Sequence, residues 1–337
     1  MRFVPHELVR QGGVYTCWPA DAALWDSNLE PAQAEFATFL SLLIEADSGE
    51  AALPLTIFCA TDQAEHSARR ALRDRAAIVR AEYGDVWARD TGPVFVLENG
   101  KPVALGFKFN GWGGKYQLLG DDVVAKRIAD HAGTRFVPYD LTVEGGALEF
   151  DGEGSVLTTR QCLLNPNRNP GLTEAEVESH LKTALGVEKV LWLDEGLNFD
   201  HTDGHIDNVA RFAAPGVVVC QSPSGDDDPQ ADILDSCARQ LEALTDAQGR
   251  ALEVVRIPSP GRVADAEGDP QPASHMNWVV GPKNIVVPTY GTASAARAVS
   301  LLQEIFPTRQ VIASPASAIL SGGGAFHCVT CHLPFGG

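Results

Sequence analysis

Apolar positions recur along the chain with two periods. Phe36, Phe39, Leu40, Leu43 and Ile44 fall on one face of a 3.6-residue repeat entered near Pro31, which predicts a helix. Similar spacing predicts helices over about 61–79, 122–131, 173–185, 233–244 and 294–306. Short β-branched or alternating runs predict strands at 55–58, 93–97, 103–107, 147–150, 156–159, 209–212, 217–220, 276–280, 285–288 and 326–331. Turn-forming strings join several neighbours as hairpins: Glu98-Asn99-Gly100, Asp151-Gly152-Glu153-Gly154 and Gly281-Pro282-Lys283-Asn284. A helix followed by a hairpin thus recurs about five times, without sequence identity between the units. No long Pro/Ser linker divides the chain, so one α/β domain over 1–337 is expected. Residues 222–230, with Asp226-Asp227-Asp228, read as a solvated loop, and 259–272 as a longer excursion that is either a lid or a surface insertion.

Composition narrows the class. A chain of 337 residues, 45% hydrophobic and 21% charged, buries a sizeable core without disulfide or metal staples. Against 44 acidic residues stand 26 basic ones, a net charge of −18, which opposes binding to a nucleic-acid backbone or an anionic membrane surface. The same charge suits solubility or the steering of a cationic substrate. The N-terminal MRFVPHELVRQGG has no signal-peptide pattern and no apolar run approaches a membrane span, so a cytoplasmic protein is expected. Seven cysteines at scattered positions fit no disulfide framework; Cys17, Cys59, Cys162, Cys220 and Cys237 lie mostly in apolar runs and read as small buried hydrophobes.

Five places combine reactive side chains with glycine and a following strand: Trp87 to Pro93, Glu144-Gly145-Gly146, Thr202 to Asn208, Ser274 to Asn277, and Gly322 to Cys328. One polar residue from each, Asp90, Glu144, His205, Asn277 and Cys328, gives intervals of 54, 61, 72 and 51 residues. If the five units surround an axis, these residues converge on one site. A thiol and a histidine supply a nucleophile and a proton carrier, which alone would suit a cysteine protease. Added carboxylates, Asp90 and Asp207, instead favour a planar cation held by bidentate pairs, for which a guanidinium fits. On an extended strand, His205 and Asp207 would share a face.

The ordered strings VWARDTGP, FNGWGG, VEGG, TDGHIDN and GGGAFHC closely resemble the agmatine deiminase and bacterial peptidylarginine deiminase family of the guanidine-modifying superfamily. That resemblance implies a five-fold pseudosymmetric β/α propeller with Cys328 as nucleophile, His205 as acid and base, and Asp90 and Asp207 as guanidinium ligands. It also implies that Glu144 orients the histidine, that Asn277 helps form the pocket, and that Trp87 packs on the substrate. Trp112 is a candidate pocket wall or the core tryptophan of an ordinary turn. Neither cofactor nor metal is implied, and the expected partner is a small cationic guanidine, with a homo-oligomer left open. Agmatine is favoured over arginine because Arg89, expected to point away from Asp90 along a strand, is the only arginine in these motifs. Peptidylarginine and other alkylguanidines remain alternatives. The chain departs from the family pattern at His275, Ala325 and Cys331-His332, expected near the nucleophile and pocket wall, which leaves the substrate's tail open.

Two other readings compete. Cys328-Val329-Thr330-Cys331-His332 has the form of a haem-attachment string, weakened by the missing export signal. His327, Cys328, Cys331 and His332 offer four metal ligands within six residues, as in a non-catalytic metal-binding protein, although neighbouring residues seldom all turn to one ion. His201 and His205 are spaced as in a zinc helix, but Gly204 argues against one.

Overall fold

The computed structural model describes residues 2–45 and 52–335. Five small sheets follow one plan, an antiparallel pair extended by a parallel third strand. Val94–Glu98 and Lys101–Lys108 form such a pair, and Asn99 (φ 52°) and Gly100 (φ 77°) supply the two left-handed residues that a tight hairpin turn needs. Arg135–Thr142 then adds in parallel after the helix Val124–His131, because a parallel neighbour requires a crossover. The third sheet carries Glu149–Phe150, Ser155–Thr159 and Lys189–Leu193, the fourth Ala210–Ala214, Val217–Ser222 and Glu253–Pro258, and the fifth Val279–Val280, Asn284–Thr289 and Gln310–Pro315.

The remaining sheet draws on both ends of the chain. Cys331–Pro334 lies antiparallel to Gln11–Cys17, which is followed in parallel by Leu55–Cys59 and Ala77–Arg80. This pairing closes a five-bladed β/α propeller, as expected from the resemblance. Apolar clusters run between blades: Leu157 and Leu191 of the third sheet pack with Leu234 and Leu241 of the helix Ala231–Glu242 that belongs to the fourth. Among the described residues no helix is long and apolar enough to cross a membrane.

The expected helices are present, with one correction. Helix 61–79 ends early: Asp62–Leu72 is helical, whereas Ala77–Arg80 is a strand. The backbone turns at Arg73 (φ 53°), and Ile78 and Val79 then pack sideways along Leu55–Cys59. In four of the sheets the parallel third strand (Arg135–Thr142, Lys189–Leu193, Glu253–Pro258 and Gln310–Pro315) escaped the pattern of alternation, whereas Leu55–Cys59 of the closing sheet was expected. Arg135–Thr142 is half exposed along most of its length, so its polar residues carry no clear period. The strand expected over 326–331 starts only at Cys331, because residues 327–330 form a turn in which Thr330 donates its amide to the His327 carbonyl.

Candidate active site

Each of the five polar residues chosen from the sequence stands just before the inner strand of its sheet. Asp90 precedes Val94–Glu98, Glu144 precedes Glu149–Phe150, His205 precedes Ala210–Ala214, Asn277 precedes Val279–Val280, and Cys328 precedes Cys331–Pro334. Two local expectations need correction. Asp90 sits in a short helix, Ala88–Thr91, and Asp207 in a 3-10 turn, Ile206–Asn208, so strand alternation does not aim these side chains. Helical rotation sends Arg89 away from Asp90 instead, to ion-pair with Glu7 at 2.8 Å.

Convergence is tightest around Gly146. A β-carbon there would lie 2.7 Å from Asp90 Oδ1, 2.7 Å from His205 Nδ1 and 3.2 Å from Asp207 Oδ2. Only a residue without a side chain lets the three groups approach. The Gly146 amide donates to Asp90 Oδ1 at 3.0 Å, and the Trp112 indole donates to Asp90 Oδ2 at 2.9 Å. Trp112 holds a left-handed backbone (φ 52°) to make that contact, a conformation costly for a bulky residue. Burial pushes the Asp90 carboxyl up to about 6, against the pull of His205.

Cys328 is seated by Asn277. The Asn277 side-chain oxygen accepts the amides of His327 and Cys328 at 2.9 and 3.2 Å, while its Nδ2 donates to Cys328 Sγ at 3.1 Å. Asn277 therefore braces the thiol from behind and is not among the cavity's lining residues, contrary to the expected pocket-forming role. The thiol also lies 3.6 Å from Asp207 Oδ2. Burial, then the charges of Asp207 and Asp90, push its pKa well above the usual thiol range.

His205 is fully buried, with Nδ1 3.6 Å from Asp90 Oδ1 and Nε2 3.6 Å from Glu144 Oε2. Burial alone would lower its pKa, but Asp90, Cys162 and Glu144 outweigh it and hold the imidazole well above its ordinary value. Glu144 is anchored by Arg168 Nε at 2.6 Å, and Arg168 continues to Asp203 and the Thr202 carbonyl. Glu144, Cys162 and His205 bring candidate ligand atoms within 4.8 Å of one another; Arg168 takes Glu144 Oε1, while Oε2 faces Cys162 Sγ at 3.8 Å and His205 Nε2 at 3.6 Å. The four-ligand cluster considered from the sequence does not assemble. His327 faces Asp207, Cys331 faces the Pro93 carbonyl, and His332 faces Arg89.

A cavity of about 210 Å³ opens onto the thiol, walled by Trp25, Trp87, Trp112, Tyr116, Leu24 and Leu118, with Asp85, Asp90 and Cys328 as its reactive lining. Among the described residues no lysine or arginine lines it. His275, Cys331 and His332 stand outside it, and Ala325 reaches the nucleophile through its backbone amide, so these departures do not shape the wall as expected. Of the two loops, 222–230 is pinned on Asp228, which accepts the amides of Ser224 and Gln230; Asp265, Asp269, Pro270 and Gln271 of the longer one line a neighbouring hollow with Tyr116 and His201.

Sequence reasoning missed the support beneath the site. Asp207 Oδ2 pairs with His327 Nδ1 at 2.8 Å, and His327 Nε2 pairs with Glu7 Oε1 at 3.0 Å. Glu7 in turn meets Arg89 and, at 2.6 Å, Arg211, which also binds Glu149. Burial works to raise the Asp207 carboxyl, but His327 overcomes it and keeps the group below its ordinary value.

Five ββαβ blades, with a thiol, a histidine and carboxylates gathered at their inner ends, define the pentein fold. The DDAH of Pseudomonas aeruginosa shows the same fold, with a TM-score of 0.55 at 10% identity over 96% of this chain and 99% of that one. More specifically, residues 3–334 match the Porphyromonas-type peptidyl-arginine deiminase family, to which the chain belongs. An agmatine deiminase of Stutzerimonas stutzeri is 35% identical over 357 residues, covering 98% of this chain and 95% of that protein. The structure of an agmatine deiminase of Enterococcus faecalis superposes with a TM-score of 0.90 at 30% identity, covering 99% and 96% of the two chains.

Proposed function

We propose that the protein is a single-domain hydrolase over residues 1–337 that deiminates a small guanidine, agmatine above others, to its ureido product and ammonia. One observation carries this reading: the cavity is lined by the Cys328 thiol with the carboxylates of Asp85 and Asp90, and among the described residues by no lysine or arginine. A guanidinium is attracted there, whereas the carboxylate of free arginine would meet only like charge. The agmatine deiminases to which the chain is similar over nearly its whole length support the choice.

The mechanism follows from the charges. A guanidinium held by Asp90 and Asp207 cancels the negative field that keeps the Cys328 proton in place, so the thiol ionises as the substrate binds, releasing its proton to solvent. The thiolate adds to the guanidinium carbon. Protonated His205, poised by Asp90 and Glu144, gives its proton to the departing nitrogen, the C–N bond breaks, and ammonia leaves a thiouronium on Cys328. Neutral His205 then takes a proton from water as the oxygen adds. The C–S bond breaks, the thiolate leaves, and the adduct's hydroxyl proton passes to solvent, where ammonia takes it up. Trp112 and the Gly146 amide fix Asp90, Asn277 fixes the nucleophile, and Trp87 lies along the alkyl chain.

The test is ureido-product formation from agmatine, arginine and an arginine peptide in parallel. The largest kcat/KM is expected for agmatine, with turnover abolished and the fold retained in Cys328→Ser. A peptide value equal to or above that for agmatine overturns the substrate, and full activity of Cys328→Ser overturns the chemistry.

A further inference from the structure

We propose that Asp85 is the counter-ion for a second cationic group on the substrate, an alkylammonium lying one indole ring away from the guanidinium. The inference rests on the deiminase reading above and names what that site selects.

Asp85 is a cavity-lining carboxylate whose partners are neutral. Oδ1 accepts the Trp25 indole N–H at 2.9 Å and Oδ2 accepts the Trp87 indole N–H at 2.9 Å. Among the described residues no cationic side chain pairs with it, and the nearby charges have its own sign. Asp121 takes the amides of Gly84 and Asp85 with its Oδ1 at 2.9 and 3.3 Å, leaving Oδ2 buried and without a partner. Asp21 adds to the same negative field. Buried charge of one sign is expensive, and the molecule maintains it where a cavity opens. Burial raises the Asp85 carboxyl to about 6, which leaves it ionised at neutral pH.

The geometry gives the charge a spacing. Trp87 links the two ends of the cavity: its Cζ3 edge is 2.6 Å, and Cys328 Sγ 3.1 Å, from the point where Gly324 would carry a β-carbon. The opposite edge of the same ring is the one held by Asp85. Trp25 stacks near it, with ring centroids 6.3 Å apart and planes inclined by 20°. A guanidinium at Cys328 therefore runs its alkyl chain along the Trp87 face and delivers its far end to Asp85, with the aromatic faces adding cation–π attraction. A neutral tail satisfies nothing there.

A role confined to pinning two tryptophans would affect every guanidine alike, which gives the test its discrimination. Asp85→Asn and the parent are compared on agmatine and on butylguanidine, which has a four-carbon chain but no ammonium. Loss of one charge-assisted contact is expected to lower kcat/KM for agmatine by about 10–100-fold more than that for butylguanidine, mainly through KM, the loss common to both substrates coming from the one indole N–H that an amide nitrogen cannot accept. Equal losses with both substrates, or an unchanged agmatine value, overturn the assignment. Calorimetry with Cys328→Ser and the Cys328→Ser/Asp85→Asn double variant reads binding without turnover. A selective loss of agmatine affinity supports Asp85, and equal affinities overturn it. If the parent releases no ureido product from either guanidine, the deiminase reading fails and the calorimetric comparison still decides the role of Asp85.

Discussion

Gly146→Ala isolates the demand that three reactive groups share one small volume. The added methyl would stand 2.7 Å from both Asp90 Oδ1 and His205 Nδ1, and 3.2 Å from Asp207 Oδ2. Ordinary carbon contacts begin near 3.5 Å, so two of these atoms must retreat by roughly 0.8 Å. Neither has room: both residues are buried, and Asp90 is tied to Trp112 and to the Gly146 amide. The backbone torsion of Gly146 is not left-handed, so alanine's own conformation adds no strain and the effect is steric. Overpacking of this kind costs about 1–3 kcal/mol, readable as a shifted midpoint in urea unfolding. Displacing groups that hold the reacting carbon by close to 1 Å lowers kcat/KM on the order of 100-fold. The assay is initial-rate ureido formation from agmatine, alongside the unfolding curve. Activity within threefold of the parent, in a protein that unfolds normally, would refute the convergence at Gly146.

Two further outcomes follow from the charges. Asp90 titrates near 6 and must be ionised to hold a guanidinium, so kcat/KM for agmatine should be retained above that pH and fall about tenfold per unit as pH drops below it; a flat profile from pH 7.5 to 5 refutes this role. Glu7→Gln leaves Arg89 and Arg211 facing each other without their shared anion and weakens the hold on His327, so stability should drop on the order of 3 kcal/mol in urea titration and kcat/KM should fall with it; an unaltered midpoint and rate would show the network to be ornamental.

What could be read from the sequence was local, and what could not was long-range. The hairpins announced themselves because Asn-Gly and Asp-Gly turns sit between alternating runs, and the five motifs each mark the entry to an inner strand. His205 and Asp207 do come close to each other at Gly146, but not as expected, since a 3-10 turn replaces the strand that was to align them. Glu7 left no signal: its partner His327 lies 320 positions away, and a single glutamate near the chain start resembles any solvated acid. Asp85 was passed over likewise, because only the folded cavity reveals that two indoles, and among the described residues no cation, attend it. Outer parallel strands such as Arg135–Thr142 lack the alternation that burial on one face would print on them.

The strand that closes the ring begins three residues after the nucleophile. Four of the sheets draw no strand from beyond residue 315, so Asp90, Asp207 and His205 belong to blades whose strands all precede Cys328 in the chain. Where Cys331–Pro334 pairs with Gln11–Cys17, the turn before it seats Cys328 on Asn277, and His327 meets Glu7 across 320 positions. The segment that closes the ring thus also seats the thiol. Truncation after Thr330 would keep Cys328 but remove the closing strand, so ureido formation from agmatine is expected to fall sharply; full activity in that variant refutes the coupling.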